Sequence, residues 1–211
     1  MKALATLAAM LAAILPASVA GAQSLDPAAE AVLSRARSST STYTIYWRVQ
    51  RSDGGSLEFN WGATFRKGSL VRVEDVASRA VADCAVGKGM QSYISIGYEY
   101  SAGPKIARRY CGIDSDRRVR ATRWVGQKQG QFGLVDEVEV VDEDGTFTYL
   151  VTVGGEVVGV TGRLRGSSTT IVAEPMSFDR TVPPGDLFSR LSLASSRVPK
   201  IVQSQGARAA N

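Results

Sequence analysis

The sequence contains no histidine and only two cysteines among its 211 residues. The lack of histidine excludes the Ser-His-Asp and Cys-His nucleophile arrangements and any histidine general base. It also argues against a metal site, because the two thiols stand alone as strong ligands. An enzyme would have to work with carboxylates, lysine, tyrosine or serine, so we predict a non-enzyme with no catalytic residue, no metal and no cofactor.

A strong charge of one sign is also missing. The formal net charge is +5, and removing Lys2 with the N-terminal leader leaves 5 − 1 = +4. Nucleic-acid binding normally requires a concentrated basic face, which this mild excess does not provide. We therefore predict no nucleic-acid partner.

Long apolar runs occur only at the N terminus. Lys2 precedes the apolar run Ala3–Leu15, and small residues follow, so that cleavage after Ala20 or Ala22 satisfies the rule for signal peptidase. The run is too short to span a bilayer of about 30 Å. We expect residues 1–22 to be a cleaved signal peptide of a bacterial periplasmic protein. No cysteine follows the cleavage region, so we expect no lipid attachment and no stable membrane anchor.

The two cysteines, Cys84 and Cys111, are expected to form a disulfide, because the chain is exported. Closing this loop stabilises the fold by roughly 3–4 kcal/mol on the chain-entropy model. In a simple meander the two residues fall two strands apart, at about 9–10 Å. A disulfide needs Cα atoms within ~7 Å. One cysteine is therefore expected to lie beyond the strand ladder, where the chain bends back.

One amphipathic helix is predicted near the start of the mature chain. Asp26 can cap it, and Pro27 can occupy its first position, where a missing N–H costs nothing. Four apolar residues then follow the spacing of one buried helix face: Ala29, Val32, Leu33 and Ala36.

The rest of the chain alternates as strands do. Turn signals every eight to twelve residues or so predict about ten strands, with residues 106–111 among them. Residues 112–133 give no clear pattern, and the polar tail 195–211 is expected to fray. We predict a single domain over residues 23–194. Its fold class is mainly β: a large curved antiparallel sheet, a half-open barrel, with one or a few short helices on its concave face.

Aromatic side chains are concentrated in the first hairpin. Tyr43 and Trp47 on one strand are expected to meet Phe59, Trp61 and Phe65 on the next, since residues opposite each other on one face are neighbours. An ordinary packed core is one interpretation. An apolar cleft is the other, because one short helix is a small cover for so many strands. The predicted ligand wall consists of Tyr43, Ile45, Trp47, Phe59, Trp61, Phe65, Ile94, Ile96 and Tyr98.

Several segments, in order, resemble one known family. Residues 65–73, FRKGSLVRV, are similar to the corner between the second and third strands of the periplasmic outer-membrane lipoprotein carriers, the LolA/LolB-like family, where a strand of the type W/F-x-R-P-x-x-F-R/N-W follows an aromatic hairpin. Residues 87–93, GKGMQSY, are similar to the family strand D-G-K-x-L-W-x-Y. The segments DEVEVVDEDGTFTYLVTVGGEVVGV and PMSFDRTVPPGDLF are similar to its late hairpins and closing strand.

The resemblance implies a half-barrel whose cavity shelters acyl chains, each methylene of which gains about 0.8 kcal/mol on burial. Lys67 matches the family's latch arginine, and with Arg72 it is a candidate lid or headgroup contact. Gln91 stands where the pattern has tryptophan. We expect a soluble carrier of lipoprotein acyl chains or another lipid-like ligand, with envelope proteins as further candidate partners. The alternative is a non-catalytic regulatory or assembly module that uses the same fold for protein contact.

Overall fold

The computed structural model describes residues 24–94, 99–111 and 118–207. Within these residues the chain forms strands, three α-helices and two short 3-10 helices. The helices are α1 (Pro27–Ser38), α2 (Pro104–Tyr110) and α3 (Lys200–Ala207), with 3-10 helices at Gly185–Phe188 and Leu191–Ala194. The strands are β1 (Ser24–Leu25), β2 (Tyr43–Asp53), β3 (Ser56–Lys67), β4 (Leu70–Asp75), β5 (Ser78–Asp83), β6 (Lys88–Tyr93), β7 (Glu99–Gly103), β8 (Ala121–Gly130), β9 (Gly133–Val141), β10 (Gly145–Thr152), β11 (Val157–Leu164) and β12 (Thr170–Asp179).

All the described strands belong to one sheet. Its order is β1-β8-β9-β10-β11-β12-β2-β3-β4-β5-β6-β7, so β1 and β7 form its two edges and the sheet is not closed into a barrel. Every neighbouring pair is antiparallel except β1 and β8. The predicted fold class, a mainly β protein with a large curved antiparallel sheet and short helices, is confirmed.

Helix α1 forms as its sequence predicts. Its buried residues are the four predicted ones, Ala29, Val32, Leu33 and Ala36. They pack with Val138 and Val140 of β9 and with Phe147, Tyr149 and Val151 of β10 in one apolar cluster. The 3.6-residue period therefore identified both the helix and the face that it buries.

Polar contacts fix both ends of α1 to the sheet. The Asp26 carboxylate accepts hydrogen bonds from the backbone N–H groups of Ala28 (2.9 Å) and Trp124 (2.7 Å), which caps the helix and ties it to β8. At the other end, Arg35 forms an ion pair with Asp136 of β9. Trp124 Nε1 donates to the same Asp136 carboxylate, at 3.1 Å.

The register of the first hairpin separates the predicted aromatic wall into two groups. Asp53 pairs with Ser56 across the two-residue turn Gly54-Gly55, so each odd-numbered residue of β2 shares a face with an even-numbered residue of β3. Both glycines have positive φ angles, 54° and 96°, which this turn type requires.

Consequently β2 and β3 present their aromatic residues to opposite faces. Tyr43, Ile45 and Trp47 lie on what we call the first face, opposite Arg66, Thr64 and Gly62. Phe59, Trp61 and Phe65 lie on the other side, the second face, together with Tyr46. The prediction that the two groups meet across the hairpin is wrong, because a change of one residue in pairing moves a strand's side chains to the other face.

Helices lie against both faces. The register places Tyr149, which packs against α1, on the first face. Helix α2 also lies on the first face, where Gly89 leaves it room: a Cβ at Gly89 would be 2.8 Å from the backbone nitrogen of Ala107. The chain from residue 185 to residue 207, which we call the C-terminal segment, lies on the second face and contacts β2 to β6.

Residues 106–111 were predicted to be a strand, and this is wrong, because Pro104 starts helix α2 there. The helix crosses over β5 and β6 and returns Cys111 to the turn after β5. The predicted disulfide between Cys84 and Cys111 is confirmed, with a Cα–Cα distance of 5.3 Å. As expected, one cysteine lies beyond the strand ladder.

Two further regions differ from the sequence expectations. Within 112–133, the segment without a clear pattern, the described part contains strand β8 and its turn into β9. The tail from residue 195 was expected to fray, but α3 forms there and packs against β3 and β2.

The predicted signal peptide lies outside the described residues. In the described part of the chain, no helix has the length and apolar character needed to span a membrane.

Candidate functional site

A buried arginine holds the C-terminal segment on the second face. Arg72 of β4 is fully buried, and its Nε donates to the carboxylate of Glu74 at 2.6 Å. Its other nitrogens donate to the backbone carbonyls of Leu187 (3.0 Å), Ser192 (3.0 Å) and Ser195 (3.1 Å). The planar guanidinium is suited to this role, because its donors point in several fixed directions at once.

Glu74 and Arg79 complete this network. Glu74 is also fully buried, and it accepts hydrogen bonds from Ser196 Oγ (2.8 Å) and from the backbone N–H of Arg197 (3.1 Å). Arg79 Nη1 donates to the carbonyl of Leu193 at 3.2 Å, and its Nε lies 3.8 Å from Glu74. The sheet therefore holds the segment through several main-chain groups together with the hydroxyls of Ser192 and Ser196.

Burial affects the ionisation of this network. Removal from water lowers the pKa of the Arg72 guanidinium below its ordinary value, and the nearby Glu74 carboxylate acts in the opposite direction. An arginine remains protonated in proteins. The second face therefore contains a buried ion pair between Arg72 and Glu74. Removing either residue would leave the charge of the other one buried and unpaired.

The segment covers the aromatic residues of the second face. Trp61 is 8% exposed and Phe65 is 4% exposed, and both pack in a cluster with Leu187 and Val198 of the segment. Gly206 of α3 approaches Trp61 so closely that a Cβ there would lie 2.6 Å from the Trp61 Cβ atom. The C-terminal segment, which is not part of the sheet, therefore covers the Trp61 and Phe65 rings.

The first-face part of the predicted wall lies in the protein's own core. Ile45 is fully buried, and the Tyr43 ring packs edge-on against Phe178 at a centroid distance of 5.8 Å. Trp47 is half-buried and donates from Nε1 to Thr64 Oγ1 at 3.1 Å. These three residues are separated by the sheet itself from Trp61 and Phe65.

The other predicted residues are dispersed. Phe59 is half-buried on the second face, and Ile94 is 36% exposed just after the end of β6. Ile96 and Tyr98 lie outside the described residues. Lys67 is exposed, and its Nζ lies beside Gly185, where the C-terminal segment begins. Arg72 contacts that segment directly.

An apolar cavity of about 520 Å³ opens on the second face at the edge of the sheet; we call it the edge cavity. Its floor is a cross-strand row in which Val81 pairs with Met90 and Met90 with Ala102. The same row continues in the other direction to Arg72 and Phe65 under the C-terminal segment. Leu70, Pro104 and Phe188 also line it, the last belonging to the segment.

The sequence contained a signal for this cavity. Once the turn between β5 and β6 is placed so that Asp83 pairs with Lys88, strict alternation puts Val81 opposite Met90. The prediction concentrated on aromatic residues instead, and the cavity floor contains none. The contribution of Phe188 has no comparable local signal, since a long connection separates it from β5 and β6.

A second cavity of about 540 Å³ lies on the far side of α3, where Gln205 lines it. Its apolar residues are Phe132, Val135, Leu150, Val158, Pro175 and Met176. Arg48 and Glu174, paired at 3.1 Å, also line it, so it is more polar than the edge cavity.

Comparison with solved structures shows a shared fold. An uncharacterized conserved protein from Thermus thermophilus is 11% identical, with a TM-score of 0.50 over 83% of this chain and 97% of that one. A LolA superfamily protein from Nitrosomonas europaea is 9% identical, with a TM-score of 0.43 over 78% and 99%. MucB in its Pseudomonas aeruginosa complex with MucA is 12% identical, with a TM-score of 0.48 over 77% and 60%.

At 11% identity the likeness to the Thermus protein is one of fold alone. No protein-family model matches the chain, and no curated protein matches it.

Proposed function

We propose that this chain is an exported, non-catalytic binding protein that carries an acyl chain or a similar lipid-like ligand on the second face of its sheet. The observation that carries the proposal is the edge cavity, an apolar space of about 520 Å³ that is open beside the C-terminal segment. Pockets of this size and character are the usual sites of small apolar ligands. Export is proposed from residues 1–22, and the lack of catalysis from the absence of histidine.

The row of residues that forms the cavity floor continues to the aromatic residues under the segment. The cross-strand row that forms its floor leads through Arg72 to Phe65, and Trp61 is the next second-face aromatic residue along β3. A long acyl chain gains about 0.8 kcal/mol for each methylene that it buries. We infer that a ligand longer than the edge cavity extends beneath the segment and displaces it, which would make Trp61 and Phe65 part of the ligand wall.

Uptake of an acyl probe by delipidated protein tests this function. We expect saturable binding of a fluorescent fatty acid, and we expect Ala102→Trp to weaken it at least tenfold by filling the cavity at an exposed edge position. Val153→Trp is the matched control, since Val153 is 65% exposed in a turn away from the cavity. Absence of uptake by the unaltered protein, or equal uptake by both variants, would overturn the proposal.

A second candidate function is protein contact in the cell envelope. Two residues of the C-terminal segment favour it: Leu191 is 85% exposed and Ile201 is 65% exposed, both on the outside of the segment. Replacing Leu191 with Asp removes this apolar surface without changing the edge cavity. If contact is the function, in-cell cross-linking to a partner protein is lost in Leu191→Asp while probe uptake remains. If carriage is the function, uptake and cross-linking are both unchanged.

A further inference from the structure

We propose that the edge cavity selects a single-chain lipid with a carboxylate headgroup, a free fatty acid, and that Lys88 at the cavity, with Lys67 at the other end of the same row, attracts its head. This inference rests on the proposed carrier function and adds the class of ligand. It follows from the way apolar and charged residues are divided between two neighbouring cross-strand rows of the second face.

The first row is apolar and forms the floor. Val81, Met90 and Ala102 lie side by side on β5, β6 and β7 and line the cavity. Val81 is 4% exposed, Met90 is half-buried and Ala102 is exposed. Solvent exposure of the floor therefore increases from the core to the open edge of the sheet. An aliphatic chain lying along this row would remove apolar surface from water at roughly 25 cal/mol per Å².

The second row lies one pleat nearer the turns and is charged. Lys67 pairs with Leu70, Leu70 with Asp83, and Asp83 with Lys88, so the four side chains form a line across β3 to β6 on the second face. Leu70, Asp83 and Lys88 line the cavity, and Lys67 ends the row on β3, with its Nζ beside Gly185 at the start of the C-terminal segment. Two ammonium groups face one carboxylate, which leaves this end of the cavity with an excess of positive charge.

The single carboxylate in this row already has a hydrogen-bond donor. Asp83 accepts from the backbone N–H of Ala85 at 3.0 Å within the turn after β5. An anionic head at the cavity end of this row would be attracted to Lys88 and, at longer range, to Lys67, whereas a cationic head would be repelled by both. The cavity volume of about 520 Å³ is in the lower part of the range for ligand sites, which suits one chain better than the two of a diacyl lipid.

Competition against a bound fluorescent fatty acid tests the inference. The unlabelled competitors are palmitate, its neutral methyl ester and a hexadecyl-trimethylammonium ion, which share one chain length and differ in head charge. Because both lysines are exposed, we expect the acid to bind only about fivefold more tightly than the ester, as an exposed pair contributes up to about 1 kcal/mol. The ammonium ion should bind most weakly, and added salt should reduce the differences.

Charge removal identifies the residues. In the double variant Lys67→Gln with Lys88→Gln, acid and ester should bind equally while the affinity for the ester is unchanged. Lys128→Gln is the matched control, since Lys128 lies on β8 in the other half of the sheet and pairs there with Glu137. Equal binding of acid and ester by the unaltered protein, or selectivity that survives in the double variant, would overturn this inference and leave the carrier function standing. Failure of every probe to bind would overturn both.

Discussion

Replacing Arg72 with Met is the substitution that most directly tests how the C-terminal segment is held. Methionine has a similar length and no charge, so the change removes the hydrogen bonds to the carbonyls of Leu187, Ser192 and Ser195 while filling much of the same space. It also leaves the Glu74 carboxylate fully buried without its 2.6 Å partner.

The expected loss of stability is large. Removing one partner of a buried ion pair typically costs about 3–5 kcal/mol, because the remaining charge is left uncompensated. For a domain of this length, each kcal/mol lowers the melting temperature by roughly 2–4 °C, which predicts a fall of roughly 6–20 °C. Arg72→Lys should fall between the two proteins, since it keeps the charge and loses the planar fork.

Chemical denaturation and limited proteolysis provide the assay. We expect Arg72→Met to lower the free energy of unfolding by the stated amount and to make residues 185–207 accessible to protease before the sheet unfolds. Arg48→Met is the control, because Arg48 forms a solvent-exposed ion pair with Glu174 at 3.1 Å. Breaking this exposed pair should cost no more than about 1 kcal/mol. Equal losses in the two variants would refute the reasoning.

Three further predictions concern the disulfide, a buried carboxylate and the close contact of α3. Replacing Cys84 and Cys111 with serine should lower the free energy of unfolding in urea by roughly 3.5 kcal/mol for a loop of 27 residues, and an unchanged value would contradict the loop-entropy account. Burial raises the pKa of Asp136, but hydrogen bonds from Arg35 and from Trp124 act together to hold it below its ordinary value of 3.8. Its stabilisation is therefore complete above about pH 4 and is lost as the pH falls through the lower folded-state pKa, so Asp136→Asn should flatten the stability curve below pH 4. Gly206→Ala should release α3 and expose residues 200–207 to protease, and unchanged protection would show that the helix tolerates a Cβ there.

The parts of the fold that the sequence predicted are those with local signals. Helix α1 has a capping residue, a proline at its first position and a regular apolar face, and all of these lie within one short segment. Strand alternation and turn residues likewise depend on near neighbours. These signals predicted the curved antiparallel sheet, but they contained nothing about the pairing of β12 with β2 that joins its two halves.

The face of each strand was harder to predict than its existence. The first hairpin turns through two residues, and a turn of three would have placed Tyr43 and Trp61 on the same face. The wall prediction therefore depended on one residue of turn length, and the aromatic side chains themselves contained no information about it.

The packing of the C-terminal segment on the second face was not predicted, for a different reason. Its attachment combines backbone groups held by a buried Arg–Glu pair with the apolar side chains of Leu187 and Val198, which are too far apart in the sequence to form one periodic stripe. Arg72 was recognised only as a candidate lid or headgroup contact by resemblance, and its partners in the segment are over a hundred residues away. Contacts of that range cannot be read from periodicity.

Native mass spectrometry of the protein purified from the cells that naturally produce it, without a delipidation step, tests the central claim most directly. The account predicts a population heavier than the polypeptide by the mass of one single-chain lipid, and loss of that population in Ala102→Trp. A single species at the polypeptide mass, together with no uptake of added fatty acid after delipidation, would contradict it.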